Sequence, residues 1–464
     1  MKEKKEYMDL AQSAVERAKR AGAGAAEAFV SDTQSVHISV SGRQVEQVNA
    51  VQEAGIGLRL LKDQKMIFGS TNDLSASSIQ SLVDDLMRKV PFHTADRFNV
   101  IPEKEDRSLE RDWASYTDFI TYDPQIAETA VEDKIKRALR MEAAGLEYSP
   151  KVSGATIVIY QDGTSYVYLA NSNGLAGWFP SSGCWGDAEM SAAQGADHQS
   201  GSYLNAFAKY ADLNPEDLGR RAAEDAVRML GAKPIESCQV PMVVSPRVGT
   251  ELFSFFAFLL SADAVQKGRS LFAGKIGTKV ASASFSLVDD GRLKGGIATA
   301  PVDGEGTPRQ TTPLIVDGIL KSYLYDAYTA RKGKTRSTGN RSRDAFDSIG
   351  GIGPTNFCLQ PGRLKPEEIL AGIKRGFYLT QAIGIFAGIH SASGDFSIPV
   401  AGLLIENGKL TVPVRGISIG GNLFELLKSV DKIGNDLTWI QSMGCPTFLV
   451  SSIKIGGVRQ PEVR

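Results

Sequence analysis

The first 90 residues alternate between two hydrophobic periods. Residues 5–21 and 74–90 place apolar side chains three and four positions apart, which predicts two helices, the first of them ended by Gly22. Between them, residues 35–51 alternate apolar and polar positions, and residues 55–72 read as two further strands around the turn Lys62-Asp63-Gln64. This order predicts an antiparallel sheet with helices covering one face.

The pattern then becomes irregular before it resumes. Residues 91–122 are polar and aperiodic, which predicts an excursion or linker, whereas residues 130–146 have helical spacing. The segment ATIVIYQDGTSYVYLANSNG predicts a hairpin with Asp162-Gly163 at its turn and a second turn at Asn173-Gly174. A further helix is predicted from the cap Asn214 to a break at Gly231.

After Pro234 the chain is dominated by glycine-punctuated strands. VPMVVSP predicts a buried strand, an apolar helix follows it, and two more helices are predicted near 366–375 and 422–430. The expected fold class is α+β. A mixed α/β domain with an antiparallel sheet and covering helices spans 1–233, and a β-rich domain spans 234–464.

Charge and cysteine content exclude several classes of function. The 464 residues contain 52 Lys and Arg and 53 Asp and Glu, so a net charge of −1 gives no global attraction for nucleic acid or an anionic membrane. The four cysteines are dispersed and form no CxxC pair, which indicates a reducing compartment. The charged N-terminus lacks the apolar core of a secretion signal, and no segment has about 18 uninterrupted apolar residues. A soluble, cytoplasmic protein is expected.

The stretch SPRVGTELFSFFAFLL, residues 245–260, is where a zinc peptidase motif could lie. Such a helix carries two histidines one turn apart, with a glutamate beside the first. Here Thr250 and Glu251 would start the motif, and the second histidine would fall on Ser254 or, in the longer HExxxH spacing, on Phe255. Without ligands, the favoured interpretation is a buried helix with Glu251 in its first turn, stabilised by the helix dipole.

The remaining candidates for chemistry are weaker. His390, which precedes a turn-like segment ending at Asp395, is the most interesting of four dispersed histidines. The glycine-rich segment GGIATAPVDGEGTPRQ is expected to be a loop, since it lacks the ending of a phosphate-binding motif. The basic run at 331–343 is expected to be a solvated loop, with a site for acidic or extended ligands as the alternative. Glu251, His390 and Asp395 are therefore only candidate functional residues, and no catalytic set is assigned.

Several segments together resemble the TldD/PmbA family, also called modulators of DNA gyrase. They include LVDDGRLKGGIATAPVDGEGTPRQTTPLIVDG, SASGDFSIPVAGLLIENGKL, VRGISIGGNLFELLKSVDKIGNDL and GIGLRLLKDQKMIFGSTNDLS. In the family, TldD-like members bind zinc through an HExxxH helix and a distal cysteine. The corresponding positions here are Thr250, Glu251 and Phe255, with Ser393 near the cysteine position. The chain is therefore similar to the PmbA (TldE) branch, which lacks the zinc motif.

The resemblance implies a function for the whole chain. It implies a non-catalytic subunit without a cofactor, with zinc only in a TldD-like partner, in an assembly that cleaves unfolded or leader-bearing peptides. An extended peptide is expected to add to a sheet edge among the C-terminal strands. Two alternatives stay open: an active hydrolase that uses Glu251 with His390 and Asp395, and a homodimeric peptide-binding module. Nucleic acid and membranes are not expected as partners.

Overall fold

The computed structural model describes residues 4–103, 113, 119 and 121–458. Its N-terminal half combines one antiparallel sheet with helices, as the two hydrophobic periods predict. The elements of this half are, in chain order, α1 (Lys4–Arg20), β1 (Ala25–Ser41), β2 (Gln44–Lys62), β3 (Lys65–Thr71), α2 (Ala76–Lys89), α3 (Pro124–Glu128), α4 (Val131–Leu146), β4 (Val152–Asn171), β5 (Ala176–Gln194), β6 (Asp197–Phe207) and α5 (Pro215–Arg228).

The six strands of this sheet lie in the order β3-β2-β1-β4-β5-β6, and every neighbouring pair is antiparallel. On the helix-covered face, alternate residues of β1 such as Ala28, Val30 and Ile38 are completely buried. Helices α1 and α2 pack over one end of this face, and α4 and α5 pack over the other end, so that two separate apolar cores form. A cavity of about 290 Å³ lies between the sheet and the segment that contains α3 and the start of α4, and β1, β2 and β4 line its other side.

The C-terminal half is rich in short strands. Its elements are, in chain order, β7 (Cys238–Val244), α6 (Pro246–Leu259), α7 (Ala262–Gln266), β8 (Leu287–Asp290), β9 (Thr311–Val316), β10 (Ile319–Leu320), α8 (Ala327–Gly333), β11 (Arg341–Ser342), β12 (Gly351–Ile352), β13 (Phe357–Leu359), α9 (Pro366–Ala371), β14 (Arg375–Ala382), α10 (Ile385–Gly388), β15 (Asp395–Glu406), β16 (Lys409–Asn422), α11 (Leu423–Lys428), β17 (Val430–Ile433), β18 (Thr438–Ile440), β19 (Met443–Cys445) and β20 (Phe448–Gly456).

These strands form two larger sheets around helix α6. One sheet has the order β16-β15-β14-β7-β20-β17, and an additional pairing of β16 with β20 closes it on itself. The other has the order β10-β9-β8-β13-β19-β18. Helix α6 supplies Phe253, which is completely buried and whose ring lies 6.3–6.5 Å from the rings of Phe285, Phe357 and Phe448. The predicted α+β class is confirmed. In the described part of the chain, no helix combines the length and apolar character needed to span a bilayer.

Buried charges join the two halves. Arg59 Nη2 of β2 lies 2.6 Å from Glu27 Oε2 of β1 and 3.2 Å from Glu305 Oε2 of the C-terminal half. Arg343 Nη1 completes the group at 3.1 Å from Glu27 Oε1. These four side chains are between 1% and 6% exposed. The division at residues 233 and 234 stays a prediction, and the excursion at 91–122 lies partly outside the described residues.

The hairpin predicted at Asp162-Gly163 is wrong, because both residues lie in the middle of the continuous strand β4. Asp162 pairs with Val36 of β1 and is only 1% exposed. Its Oδ2 lies 2.7 Å from Lys134 Nζ and accepts a hydrogen bond from the Tyr160 hydroxyl at 2.7 Å. These partners replace the solvent that the carboxylate would find in a turn. The chain reverses instead at Asn173-Gly174, where Gly174 has φ +85°.

The basic run at 331–343 is only partly a solvated loop. Residues 331–336 are exposed, and the first three of them end helix α8. Arg341 and Arg343, by contrast, have side chains that are 12% and 2% exposed. Arg341 Nη1 lies 2.7 Å from Asp326 Oδ2, and Arg343 pairs with Glu27. The expectation of a solvated loop is therefore wrong for the second part, where carboxylates distant in sequence neutralise both arginines.

Candidate functional site

Helix α6, which carries the degenerate motif, begins earlier than the sequence indicates. Ser245 caps it, because its Oγ accepts a hydrogen bond from the Val248 N–H at 3.5 Å, and Pro246 occupies the first helical position. Glu251 consequently lies in the second turn and not in the first turn, as expected from the sequence. Since the helix dipole acts within the first turn, it does not account for this carboxylate.

Glu251 is held by a side chain one turn before it. Arg247 Nε lies 3.7 Å from Glu251 Oε1, and the Glu251 side chain is 42% exposed. Arg247 also reaches the N-terminal half: its Nη1 lies 2.5 Å from Asp225 Oδ2, and its Nη2 donates to Ser202 Oγ at 3.1 Å. Partial burial raises the pKa of Glu251, and Arg247 opposes that shift. The geometry makes Glu251 an ion-pair partner at the junction of the two halves.

The two positions where the family's histidines would lie are buried and occupied by other contacts. Thr250 is 3% exposed, and its hydroxyl donates to the Arg247 carbonyl at 2.7 Å. Phe255 is 2% exposed, and its ring meets that of Phe386 edge to face at 5.2 Å. Phe258 lies against the same ring of Phe255 at 6.1 Å. An aromatic cluster thus fills the place of the second ligand.

The loop between α10 and β15 brings three of the singled-out residues together. His390 Nδ1 lies 3.0 Å from Ser393 Oγ and accepts a hydrogen bond from the Ser393 N–H at 3.2 Å. Ser393 Oγ accepts from the Asp395 N–H at 3.3 Å. The Asp395 carboxylate accepts from Asn422 Nδ2 at 2.9 Å, and hydrogen bonding by the Asn422 side chain lowers the pKa of Asp395. Gly394 has φ +80°, so the contacts are those of a tight exposed turn.

This turn lacks the arrangement of a hydrolytic site. The described hydrogen bond of the Asp395 carboxylate goes to Asn422. The described hydrogen bond between His390 and Asp395 joins backbone atoms, with the His390 N–H donating to the Asp395 carbonyl at 2.8 Å, so it gives the imidazole no orienting carboxylate. The ion pair of Glu251 goes to Arg247, and no described contact joins Glu251 to His390 or Asp395. The combination of these three residues considered from the sequence therefore gains no geometric support.

The residues present do not fit a zinc ion. Among residues 4–103, 113, 119 and 121–458, no group of three or more His, Cys, Asp or Glu side chains is placed to hold a metal. The motif positions offer a hydroxyl that is already bonded and a phenyl ring, neither of which replaces imidazole. Burial raises the pKa of Cys184 and of Cys358 to about 12, which keeps both thiols protonated. Burial also raises the pKa of Cys445, whose Sγ packs against α6 at Gly249.

The sequence interpretation missed the charged cavity beside Arg247. A cavity of about 180 Å³ lies where α5 and β6 meet the start of α6, and Arg221, Arg228, Tyr203 and Tyr378 line it together with Arg247. Burial raises the pKa of Asp225 there, and Arg247 opposes the shift. The i, i+4 spacing of Arg247 and Glu251 was a usable signal for part of this cluster. Asp225 lies 22 residues from Arg247 and gave no local signal.

Sheet edges in the C-terminal half are short. The terminal strands β17, β18 and β10 contain four, three and two residues. Strand β16 pairs with β15 along most of its length and with β20 from Ser418 to Gly420. Residues 409–413 of β16 keep one open side, with Leu410 and Val412 being 40% and 48% exposed. The glycine-rich strands therefore offer an extended peptide only a limited edge within the described residues.

Comparison with known proteins identifies the class to which this fold belongs. Residues 26–89, 124–230 and 237–457 match, in that order, domain 1, the central domain and the C-terminal domain of the PmbA/TldA metallopeptidases. The chain therefore belongs to the PmbA/TldD metallopeptidase family, which confirms the resemblance drawn from the sequence segments.

Individual relatives cover almost the whole chain. Metalloprotease PmbA of Escherichia coli O157:H7 is 24% identical over 433 residues, which are 93% of this chain and 92% of the relative. A crystal structure of a modulator of DNA gyrase from Thermotoga maritima is 27% identical, with a TM-score of 0.85 over 97% of this chain and 100% of that one. TldE from Thermococcus kodakarensis, at 20% identity, has the same fold with a TM-score of 0.85 over 97% of this chain and 100% of that one.

Proposed function

We propose that this chain is the non-catalytic, PmbA/TldE-like subunit of a two-chain peptidase of this family. Its partner is a TldD-like chain that carries the HExxxH zinc motif. Their common substrates are unfolded or leader-bearing peptides, and the site of action is the cytoplasm. Zinc belongs to the partner, and this chain contributes the second wall of the chamber in which the peptide is cleaved.

One observation carries the proposal: the two histidine positions of the motif are Thr250 and Phe255, and both are buried in contacts that exclude a ligand. A metal-activated water requires imidazole, thiolate or carboxylate donors with an open coordination position. The described ion pair of Glu251 is with Arg247, and no group of metal-binding side chains lies beside it within the described residues. The cytoplasmic assignment is supported by the four free thiols, three of which are buried.

Co-expression with a TldD-like chain tests this proposal. We expect the untagged chain to co-elute with a tagged TldD-like partner, and the complex to cleave an unstructured peptide in a chelator-sensitive manner. A partner whose motif glutamate is replaced by glutamine should still co-elute but should not cleave. This control separates assembly from catalysis, because only the partner supplies the metal site.

Two other outcomes would contradict the proposal and favour one of the alternative functions. Cleavage by this chain alone, with stoichiometric zinc, would favour an active hydrolase that uses Glu251, His390 or Asp395. A stable homodimer that binds peptides but ignores every TldD-like chain offered would favour a homodimeric peptide-binding module.

A further inference from the structure

Strand β2 has a long open edge in the N-terminal half. From Gln44 to Lys62 it pairs with β1 on one side, but β3 covers its other side only from Ile56 onward. Within the described part of the chain, residues 44–55 have no strand on that outer side. Residues 44–53 are all exposed, and Val45, Val48 and Val51 are 40%, 41% and 53% exposed.

Such an edge presents unpaired backbone N–H and C=O groups to any extended chain. Proteins usually prevent this with bulges and charges, and β2 has a register shift opposite Ser39 and Val40. Beyond that irregularity the register is continuous, from Gln47 opposite Ser39 to Gly55 opposite Ser31. The regular part of the edge, residues 47–55, is therefore nine residues long, enough for several hydrogen bonds to an added strand.

A polar cavity opens beside this edge. It is the cavity of about 290 Å³ beneath α3 and the start of α4, and Ala50, Val51 and Gln52 of β2 form one of its walls. Lys134 and Asp162 line its inner side, and both are at most 3% exposed. Lys134 Nζ donates to the Ile126 carbonyl at 2.8 Å and pairs with Asp162 at 2.7 Å. These described contacts account for two of the three N–H donors of the Lys134 ammonium group.

We propose that residues 47–54 of β2 bind an extended peptide as an additional strand, with one of its side chains entering the cavity that Lys134 and Asp162 line. Backbone hydrogen bonds to β2 provide affinity without sequence specificity, and the cavity selects one side chain of the peptide. A polar side chain fits best, because the buried charges of Lys134 and Asp162 line the cavity.

The charges along the edge select a basic peptide. Glu46 and Glu53 are the only charged residues between positions 44 and 55. A second copy of the chain that paired through the same edge would bring four carboxylates into one ladder without a cation. The neighbouring Arg43 does not neutralise them, since its guanidinium faces Glu147 at 3.9 Å. Charge complementarity thus favours a lysine- or arginine-containing peptide over a symmetric dimer.

Fluorescence anisotropy of the isolated chain tests the inference. The probe is a fluorescein-labelled decapeptide of alternating lysine and threonine, and the controls are its glutamate–threonine counterpart and a version methylated on alternate backbone nitrogens. We expect binding of the basic peptide alone. The double variant Glu46→Lys/Glu53→Lys should weaken it about tenfold or more, since each reversal replaces an attraction by a repulsion. Glu236→Lys/Glu367→Lys, which changes the net charge equally at two other exposed sites, should have little effect.

A second variant tests the cavity. Ala50 is exposed, so Ala50→Trp should fold normally while its indole blocks the cavity and weakens peptide binding. Three results would overturn the inference. They are binding of the methylated peptide as tight as that of the unmodified one, unchanged binding by either variant, and a homodimer whose stability the glutamate reversals alter in either direction. The zinc-free role proposed above does not depend on these results, because the assay uses neither partner nor metal.

Discussion

Replacing Glu27 by glutamine tests whether buried charges hold the two halves together. Glu27 is 1% exposed and serves two arginines: Arg59 Nη2 lies 2.6 Å from one carboxylate oxygen, and Arg343 Nη1 lies 3.1 Å from the other. Burial already lowers the pKa of Arg343 to about 10, with Glu27 opposing that shift. The substitution removes the negative charge and leaves Glu305 as the remaining ion-pair partner of Arg59.

The expected magnitude is large. Coulomb's law at an effective dielectric constant of about 20 gives about 6 kcal/mol of attraction for unit charges at the 2.6 Å between Arg59 and Glu27. A neutral glutamine avoids the cost of burying a charged carboxylate, which offsets part of the lost attraction. Removal of one partner from a buried pair therefore costs about 3–5 kcal/mol. We expect Glu27→Gln to lower the free energy of unfolding by that amount, a large fraction of the stability of most domains.

Urea unfolding followed by circular dichroism and tryptophan fluorescence measures the effect. The control is Glu16→Gln, which removes an exposed pair with Arg20 at 2.9 Å and should cost less than about 1 kcal/mol. The double variant Glu27→Gln/Arg343→Met should recover part of the loss, because it removes the arginine left without a carboxylate. Equal destabilisation by Glu27→Gln and Glu16→Gln would refute the reasoning.

Three further predictions concern the motif helix and the buried acids. Phe255→Asp should lower the free energy of unfolding by more than about 3 kcal/mol in urea melts, because it buries an unpaired charge, whereas Phe258→Asp, at a position 41% exposed, should cost much less. Glu251→Gln should leave cleavage by a reconstituted complex nearly unchanged, and a hundredfold loss of kcat/KM would show that this carboxylate is catalytic. Burial and the nearby Glu305 raise the pKa of Asp303 to about 7, so the folded protein binds a proton that the unfolded chain releases near pH 4. This stabilisation is present at low pH and is lost as the pH rises from about 4 to about 7. The stability of the wild type relative to Asp303→Asn should therefore fall over that range, and a constant difference between the two proteins would contradict the assignment.

The elements with a clear period could be predicted from sequence because their signals are local. The helices at 4–20, 76–89, 131–146 and 215–228 and the turn between β2 and β3 all lie close to their predicted positions. Asp162-Gly163 shows where such signals fail. The dipeptide favours a turn in isolation, but Lys134, which lies 28 positions away along the chain, supplies the charge that lets Asp162 stay inside a strand.

The candidate site could also be predicted from the sequence only in part. The absence of ligands at Thr250 and Phe255 is visible in the sequence, and so is the i, i+4 relation of Glu251 to Arg247. The junction of the two halves is not, because Glu305 and Arg343 lie 246 and 316 positions from their partners Arg59 and Glu27. No local pattern distinguishes such arginines from those of a solvated basic loop. The open edge of β2 was equally hidden, since it depends on where β3 stops pairing.

The zinc content of the purified chain tests the central claim most directly. The protein would be incubated with one equivalent of zinc, passed through a desalting column, and analysed by mass spectrometry for metal and by peptide cleavage for activity. The account predicts zinc far below one ion per chain and no cleavage until a TldD-like chain is added. One tightly held zinc per chain, with chelator-sensitive cleavage by this chain alone, would contradict it.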